Sequence, residues 1–139
     1  MRSETVGLIA GVFDLVHAGH VLALKEARKY CDRLIVALHV APENPTKNQP
    51  IMSVDERETI LRGCRYVDDV AIYRTEDELC SLLATHDFDI RFIGEDYRTL
   101  PIVGSWLTPS IQFLSRDHGW SSRELRARVY AAERAKEAA

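Results

Sequence analysis

Cysteine is scarce in this chain of 139 residues: Cys31, Cys64 and Cys80, widely spaced and without a CxxC pair. That spacing argues against a disulfide framework or a thiolate metal site, so the three read as reduced thiols in or near a core. No apolar run approaches the roughly 20 residues needed to span a bilayer. The opening residues, Met1-Arg-Ser-Glu-Thr5, are polar and lack a signal-type apolar region, so a cytoplasmic location is expected. Basic excess is missing too. A net charge of −3 gives no global field for nucleic acid, although a bound nucleotide needs only local positive charge. There is no internal repeat and no low-complexity tract.

What is present is an ordinary globular composition, 46% hydrophobic and 28% charged. One domain over residues 1–139 is expected, long enough to bury a core without disulfides. Strand-like and helix-like segments alternate. Val6 to Ala10 reads as a strand. Val21 to Cys31 reads as a helix, with Val21, Leu24, Ala27 and Cys31 on one face and Lys25, Glu26, Arg28 and Lys29 on the other. Leu34 to Leu38 is an apolar run suited to a strand covered on both faces. Ala41 to Met52 holds three prolines and no periodicity, so it reads as a long loop. Ser53-Val-Asp-Glu56 is a capping box opening a helix to about Cys64. Then follow a strand at Val67–Tyr73, a helix at Glu76–Thr85 and a strand at Asp89–Ile93. An irregular stretch at Thr99–Pro109, with one short helix, leads to a strand at Ile111–Leu114. A last helix, opened by Ser121-Ser-Arg-Glu124, reaches about Lys136. This alternation predicts an α/β fold, Rossmann-like, with three layers (α/β/α) around a five-stranded parallel sheet. Ligands of such sheets bind beyond the carboxyl ends of the strands. The polar clusters at residues 11–20, 94–96 and 116–122 all follow strands and should gather at that edge.

The first cluster, Gly11-Val-Phe-Asp-Leu-Val-His17-Ala-Gly-His20, carries the most chemistry. It sits where a strand ends and a helix begins, where free N–H groups and the helix dipole favour a phosphate. His17 and His20 share one face of the first helical turn and can donate to phosphoryl oxygens. Gly11 lets the backbone turn sharply or approach a ligand. Gly19 costs about 1 kcal/mol relative to alanine inside a helix, and its expected use is to let a ligand close on the helix end. Asp14 can cap the helix or orient one histidine. At the other end of the chain, Ser121 and Ser122 open a helix with hydroxyls and free N–H groups, and Arg116 just before them can fork onto phosphate oxygens.

GVFDLVHAGH resembles the GxFDxxHxGH signature of the HxGH nucleotidyltransferase superfamily. Cys64-Arg-Tyr-Val-Asp-Asp-Val70 is similar to the RYVDEV stretch of its cytidylyltransferases. Ile93-Gly-Glu-Asp-Tyr97 resembles their GDDW-like segment, and Arg116-Asp-His-Gly-Trp-Ser-Ser122 their RTEGIST signature. The likeness covers nearly the whole chain and points to the small bacterial glycerol-3-phosphate cytidylyltransferases. It implies transfer of CMP from CTP to a phosphorylated small molecule, with pyrophosphate released, and a homodimer. It implies catalytic roles for His17, His20, Lys47 and Arg116. Nucleotide contacts fall on Gly11, Val12, Phe13, Asp14, Gly19, Arg65, Gly94, Asp96, Gly119, Ser121 and Ser122, and an acceptor contact on Arg57. Mg²⁺ would accompany CTP, held through Asp14 or water.

Asp117, His118 and Trp120 stand where the RTEGIST pattern has Thr, Glu and Ile. GVFD and Asp32-Arg-Leu-Ile-Val-Ala37 also resemble the heptose-phosphate adenylyltransferases. ATP with a sugar phosphate, or nucleotide binding without turnover, therefore stand as alternatives.

Overall fold

The computed structural model describes residues 4–115 and 118–138. Five strands form one sheet: β1 (Val6–Gly11), β2 (Arg33–His39), β3 (Asp69–Tyr73), β4 (Ile90–Gly94) and β5 (Ile111–Leu114). Their order is β3-β2-β1-β4-β5, and every neighbouring pair is parallel. Parallel neighbours cannot be joined by hairpins, so the chain must cross a face between them. The helices α1 (Ala18–Arg28), α2 (Val54–Arg62) and α3 (Glu76–Thr85) occupy such crossovers, and α4 (Ser122–Ala138) follows β5. This is the Rossmann-like α/β architecture that the alternation predicts.

The side-chain period of two assigns the strands to two cores. On one face, Leu34, Val36 and Leu38 of β2 pack with Leu24 and Ala27 of α1 and Leu61 of α2. On the other, Ile35 and Ala37 pack with Leu79, Leu82 and Leu83 of α3. Both faces of β2 are buried, which is why it reads as an unbroken apolar run.

Several boundaries differ from the sequence reading: β3 starts at Asp69 rather than Val67, β1 and β4 end one residue later, and α1 ends at Arg28 rather than Cys31. Helix α1 begins at Ala18 rather than Val21, because His17 caps it. Glu95–Tyr97 forms a 3-10 turn that nothing in the local sequence announces. Ser53 and Glu56 form the expected reciprocal capping box, and α3 and β5 have the expected limits.

The sheet order reverses direction between β1 and β4. Strands β2 and β3 lie to one side of β1, while β4 and β5 lie to the other. A crevice opens where successive crossovers diverge in this way, at the carboxyl ends of the strands.

Candidate active site

A cleft of about 230 Å³ opens at that switch point, with Gly11, Phe13, Gly19, His20, Gly94 and His118 in its lining. Gly19, His20 and Ala23 of α1 form one wall of it, while His17 lines an adjoining smaller pocket with Trp120, Ser121 and Arg128. His17 stands at the N-cap in extended conformation, and its Nδ1 accepts from the Gly19 amide at 3.0 Å. In return, His20 Nδ1 accepts from the His17 amide at 3.1 Å. The two rings lie 4.1 Å apart. A backbone N–H pointing at Nδ1 assigns the neutral ring's proton to Nε2. Each imidazole is therefore held by the helix start as an Nε2–H donor. The Gly19 amide is already used by His17 and so is not open to a ligand. Asp14, expected as a cap, has a different task.

Gly19 is explained by crowding. A Cβ on it would stand 2.8 Å from His17 Cε1 and 2.9 Å from His118 Cε1. The glycine lets two imidazoles from opposite ends of the chain close over the helix start. His118 Nδ1 accepts from the Trp120 amide at 3.2 Å, so this third ring also presents Nε2. Sequence reading treated His118 only as a departure from a pattern. The structure places it in the cleft.

The turn from β1 to α1 is strained. Phe13 and Leu15 adopt left-handed φ values of 51° and 48°, each costing about 1–2 kcal/mol for a residue with a Cβ. Asp14, between them, holds the turn in place. Its carboxylate accepts from the amides of Ile51 (2.8 Å) and Met52 (2.9 Å) and from Arg126 of α4 (2.8 Å). Burial alone would raise its pKa. The two amides, Arg126 and Arg57 outweigh burial and hold the carboxyl below its usual value. Arg126 was not foreseen; no local pattern links it to a residue 112 positions away.

Arg57 requires a correction. It is 1% exposed, and its guanidinium donates to the carbonyls of Met52, Val12, His39 and Val40 at 2.7–3.1 Å. It ties the β1 and β2 exits to the start of α2 and does not face an acceptor. Burial lowers its pKa against the opposing pull of Asp14. Arg65 is also displaced from its expected role. It is exposed in the turn between α2 and β3. The nearby Asp68 side chain accepts from the Leu34 amide at the start of β2. That turn lies at the amino edge of the sheet, opposite the cleft.

Gly11, Val12, Phe13 and Gly94 line the cleft. Asp96 is exposed in the 3-10 turn beside it. Ser122 Oγ is 3.2 Å from His17 Nε2, which joins the start of α4 to the start of α1. Ser121 Oγ accepts from the Glu124 amide. Gly119 is exposed, with no atom within 4 Å of where a side chain would begin. Lys47 lines a second cavity rather than this cleft. Arg116 and Asp117 lie outside the described residues.

A magnesium ligand role for Asp14 does not fit, because amides and a guanidinium occupy both its oxygens. Among the described residues, no group of three His, Cys, Asp or Glu side chains could hold a metal ion. No described helix is long and apolar enough to cross a membrane.

Residues 8–106 match the family described as Cytidylyltransferase-like. The chain belongs to the cytidylyltransferase-like family. Among relatives, the bifunctional protein HldE of Granulibacter bethesdensis is 43% identical over 105 residues, covering 72% of this chain and 21% of that protein. The ethanolamine-phosphate cytidylyltransferase of Dictyostelium discoideum is 34% identical over 129 residues, covering 87% of this chain and 35% of that one. This chain thus spans a fifth to a third of those relatives. The lipopolysaccharide core biosynthesis protein of Thermoplasma volcanium GSS1 superposes with a TM-score of 0.61 at 20% identity, covering 94% of this chain and 90% of that one. At that identity, the likeness speaks to fold alone. The cytidylyltransferase-like stretch begins within β1 and contains the paired histidines, the 41–52 loop and the β4 exit.

Proposed function

We propose that this domain transfers a cytidylyl group from CTP to a phosphorylated small molecule of the glycerol 3-phosphate type. A phosphate oxygen of the acceptor bonds to the α-phosphorus. The bond from that phosphorus to the oxygen bridging the β-phosphate breaks, and pyrophosphate leaves with the electron pair. The observation that carries this reading is the reciprocal histidine cap, which aims two Nε2–H donors from one helix turn. No protein nucleophile is required. Positioning and stabilisation of charge on the α- and β-phosphate oxygens are enough for an in-line displacement. Ser122 Oγ, beside His17 Nε2, extends the donor set. Mg²⁺ is proposed to arrive with the triphosphate, liganded by phosphate and water.

A second cavity meets the nucleotide cleft along Ala10, Gly94 and Tyr97, which line both. An acceptor entering there approaches the α-phosphorus from the side opposite α1. Lys47 lines this second cavity and is proposed to meet the acceptor phosphate or the α-phosphate.

The GVFD start also supports ATP as the donor, with a sugar phosphate as acceptor. Pyrophosphate release, measured with each of the four nucleoside triphosphates against a panel of phosphorylated alcohols and sugars, tests both readings. Release with CTP and a polyol phosphate supports the first. Release with ATP alone replaces it. Nucleotide binding without release on any acceptor leaves a nucleotide-binding domain.

A further inference from the structure

The second cavity, of about 310 Å³, lies on the α3 face of the sheet. Two of its lining residues are buried yet polar: Tyr73 of β3 and Arg91 of β4, each 6% exposed. Arg91 pairs in register with Leu8, on a face otherwise filled by apolar side chains. A guanidinium in that position is costly unless an anion or a full set of acceptors compensates it. Here, compensation is incomplete. Nη1 donates to the Val103 carbonyl, while Nε is buried with no hydrogen-bond partner. No carboxylate among the described residues forms an ion pair with Arg91, although Glu76 also lines the cavity. Among the described residues, the Tyr73 hydroxyl also has no hydrogen bond. Its ring stacks on His39 at 4.5 Å. Burial pushes its phenol up to about 12, so it stays a neutral O–H donor at neutral pH.

We propose that Arg91 and Tyr73 hold an anionic oxygen group at the end of the acceptor remote from its reacting phosphate. The inference rests on the transferase reading above. The reacting phosphate must lie near Gly94, where the two cavities meet. Arg91 lies three strand positions deeper, about 10 Å along β4. A short carbon backbone and the arginine side chain span that distance. The preferred acceptor then carries two anionic groups, a phosphate that attacks and a carboxylate or second phosphate that anchors. The planar guanidinium matches either oxyanion. An acceptor ending in an ammonium would instead face the like charge of Arg91, set against the single carboxylate of Glu76 in the lining.

Calorimetric titration tests this. The nucleotide site is first filled with the unreactive α,β-methylene analogue of CTP or ATP, whichever raises the melting temperature. The wild type and the Arg91→Met, Arg91→Lys and Tyr73→Phe variants then receive 3-phosphoglycerate, 2,3-bisphosphoglycerate, glycerol 3-phosphate and ethanolamine phosphate. The wild type should bind at least one probe with a second anionic group about tenfold or more tighter than glycerol 3-phosphate, and ethanolamine phosphate most weakly. Comparing the carboxylate probe with the bisphosphate identifies the anchoring group. Arg91→Met should erase the preference. Arg91→Lys should retain part of it, and Tyr73→Phe should reduce it, so the proposal remains testable if one variant does not fold. Equal affinity for the probes in the wild type, no binding of any probe, or a preference unchanged in Arg91→Met overturns the proposal. Pyrophosphate release on an acceptor with one anionic group, without the preference, removes this inference and keeps the transferase reading. An intact anion preference without release on any acceptor removes the transferase reading and leaves an anion site.

Discussion

Replacing Arg57 with methionine should destabilise the chain by about 3–5 kcal/mol, in the range for breaking a buried, hydrogen-bonded charge. The arginine gives four hydrogen bonds to backbone carbonyls. Bonds to a charged donor contribute about 1.5–3 kcal/mol each, so a simple sum would reach about 6–12 kcal/mol. Two effects reduce it. Burial of the guanidinium is itself unfavourable, as its lowered pKa records. Val12, His39, Val40 and Met52 are only half-buried, so water can replace part of what is lost. The carbonyls belong to the backbone and cannot be deleted with their partner, so an apolar replacement gains nothing at their end. Against a typical total of about 5–15 kcal/mol, the loss is large. For a chain of this length it corresponds to a fall in melting temperature of about 10–20 °C. Lysine has one ammonium and no fork, so Arg57→Lys should recover only part of it. Urea unfolding gives the free energies, and hydrogen exchange at the Ile51 and Met52 amides reports whether the adjoining loop loosens first. A methionine variant within 1 kcal/mol of the wild type, or a lysine variant equal to it, would refute the argument.

Asp14→Asn should lower the urea midpoint at pH 7, and the two proteins should converge in acid. The carboxyl has a lower pKa folded than unfolded. Its contribution is therefore full above about pH 4 and fades as pH falls through the folded value. A gap that widens in acid contradicts this sign. Gly19→Ala should leave the melting temperature nearly unchanged, since the helix preference of alanine, about 1 kcal/mol, is offset by loss of a His17 cap of similar size. Its Cβ would displace His17 and His118, so turnover should fall at least tenfold; unchanged turnover rejects the crowding argument. His17→Ala removes the cap, at about 1 kcal/mol, and one phosphate donor, at about 3 kcal/mol of barrier. Pyrophosphate release should drop about a hundredfold in a folded protein. Full activity would remove His17 from the reaction.

Elements with strong local signatures were legible from sequence. Ser53 and Glu56 sit three residues apart and satisfy each other's backbone. The period of two and the apolar run placed β2, and the motif's position after β1 placed the paired histidines at the sheet's binding edge. What sequence could not supply was the direction of long polar side chains. Arg57, on a helix beside the motif, looked available for a ligand. Its fork turns inward because four carbonyls converge there from separate segments. Arg65 has the right neighbours in sequence but lies at the wrong end of the sheet, since α2 carries the chain back before β3 begins. Asp14 was read as a helix cap or as a residue orienting one histidine, because it precedes the helix. Its partners lie in the 41–52 loop and in α4, contacts that no local window contains. Arg91 gave no signal because a buried arginine within an apolar strand is visible only after folding.

The loop carrying Lys47 is fastened at both ends. Arg57 holds the carbonyl of Val40 where the loop begins, and Asp14 holds the amides of Ile51 and Met52 where it ends. Between them, Glu43 Oε1 accepts from the Glu76 amide at the start of α3 at 2.8 Å, and neither fastening involves residues 44–48. Changing a loop's length between fixed ends is cheap, about 0.6 kcal/mol for each doubling. Insertions or deletions in this stretch can therefore reshape the wall of the second cavity without moving His17 or His20. In evolutionary terms, this segment can be edited to reshape one cavity while the histidine-capped helix start beside the other cleft is inherited unchanged.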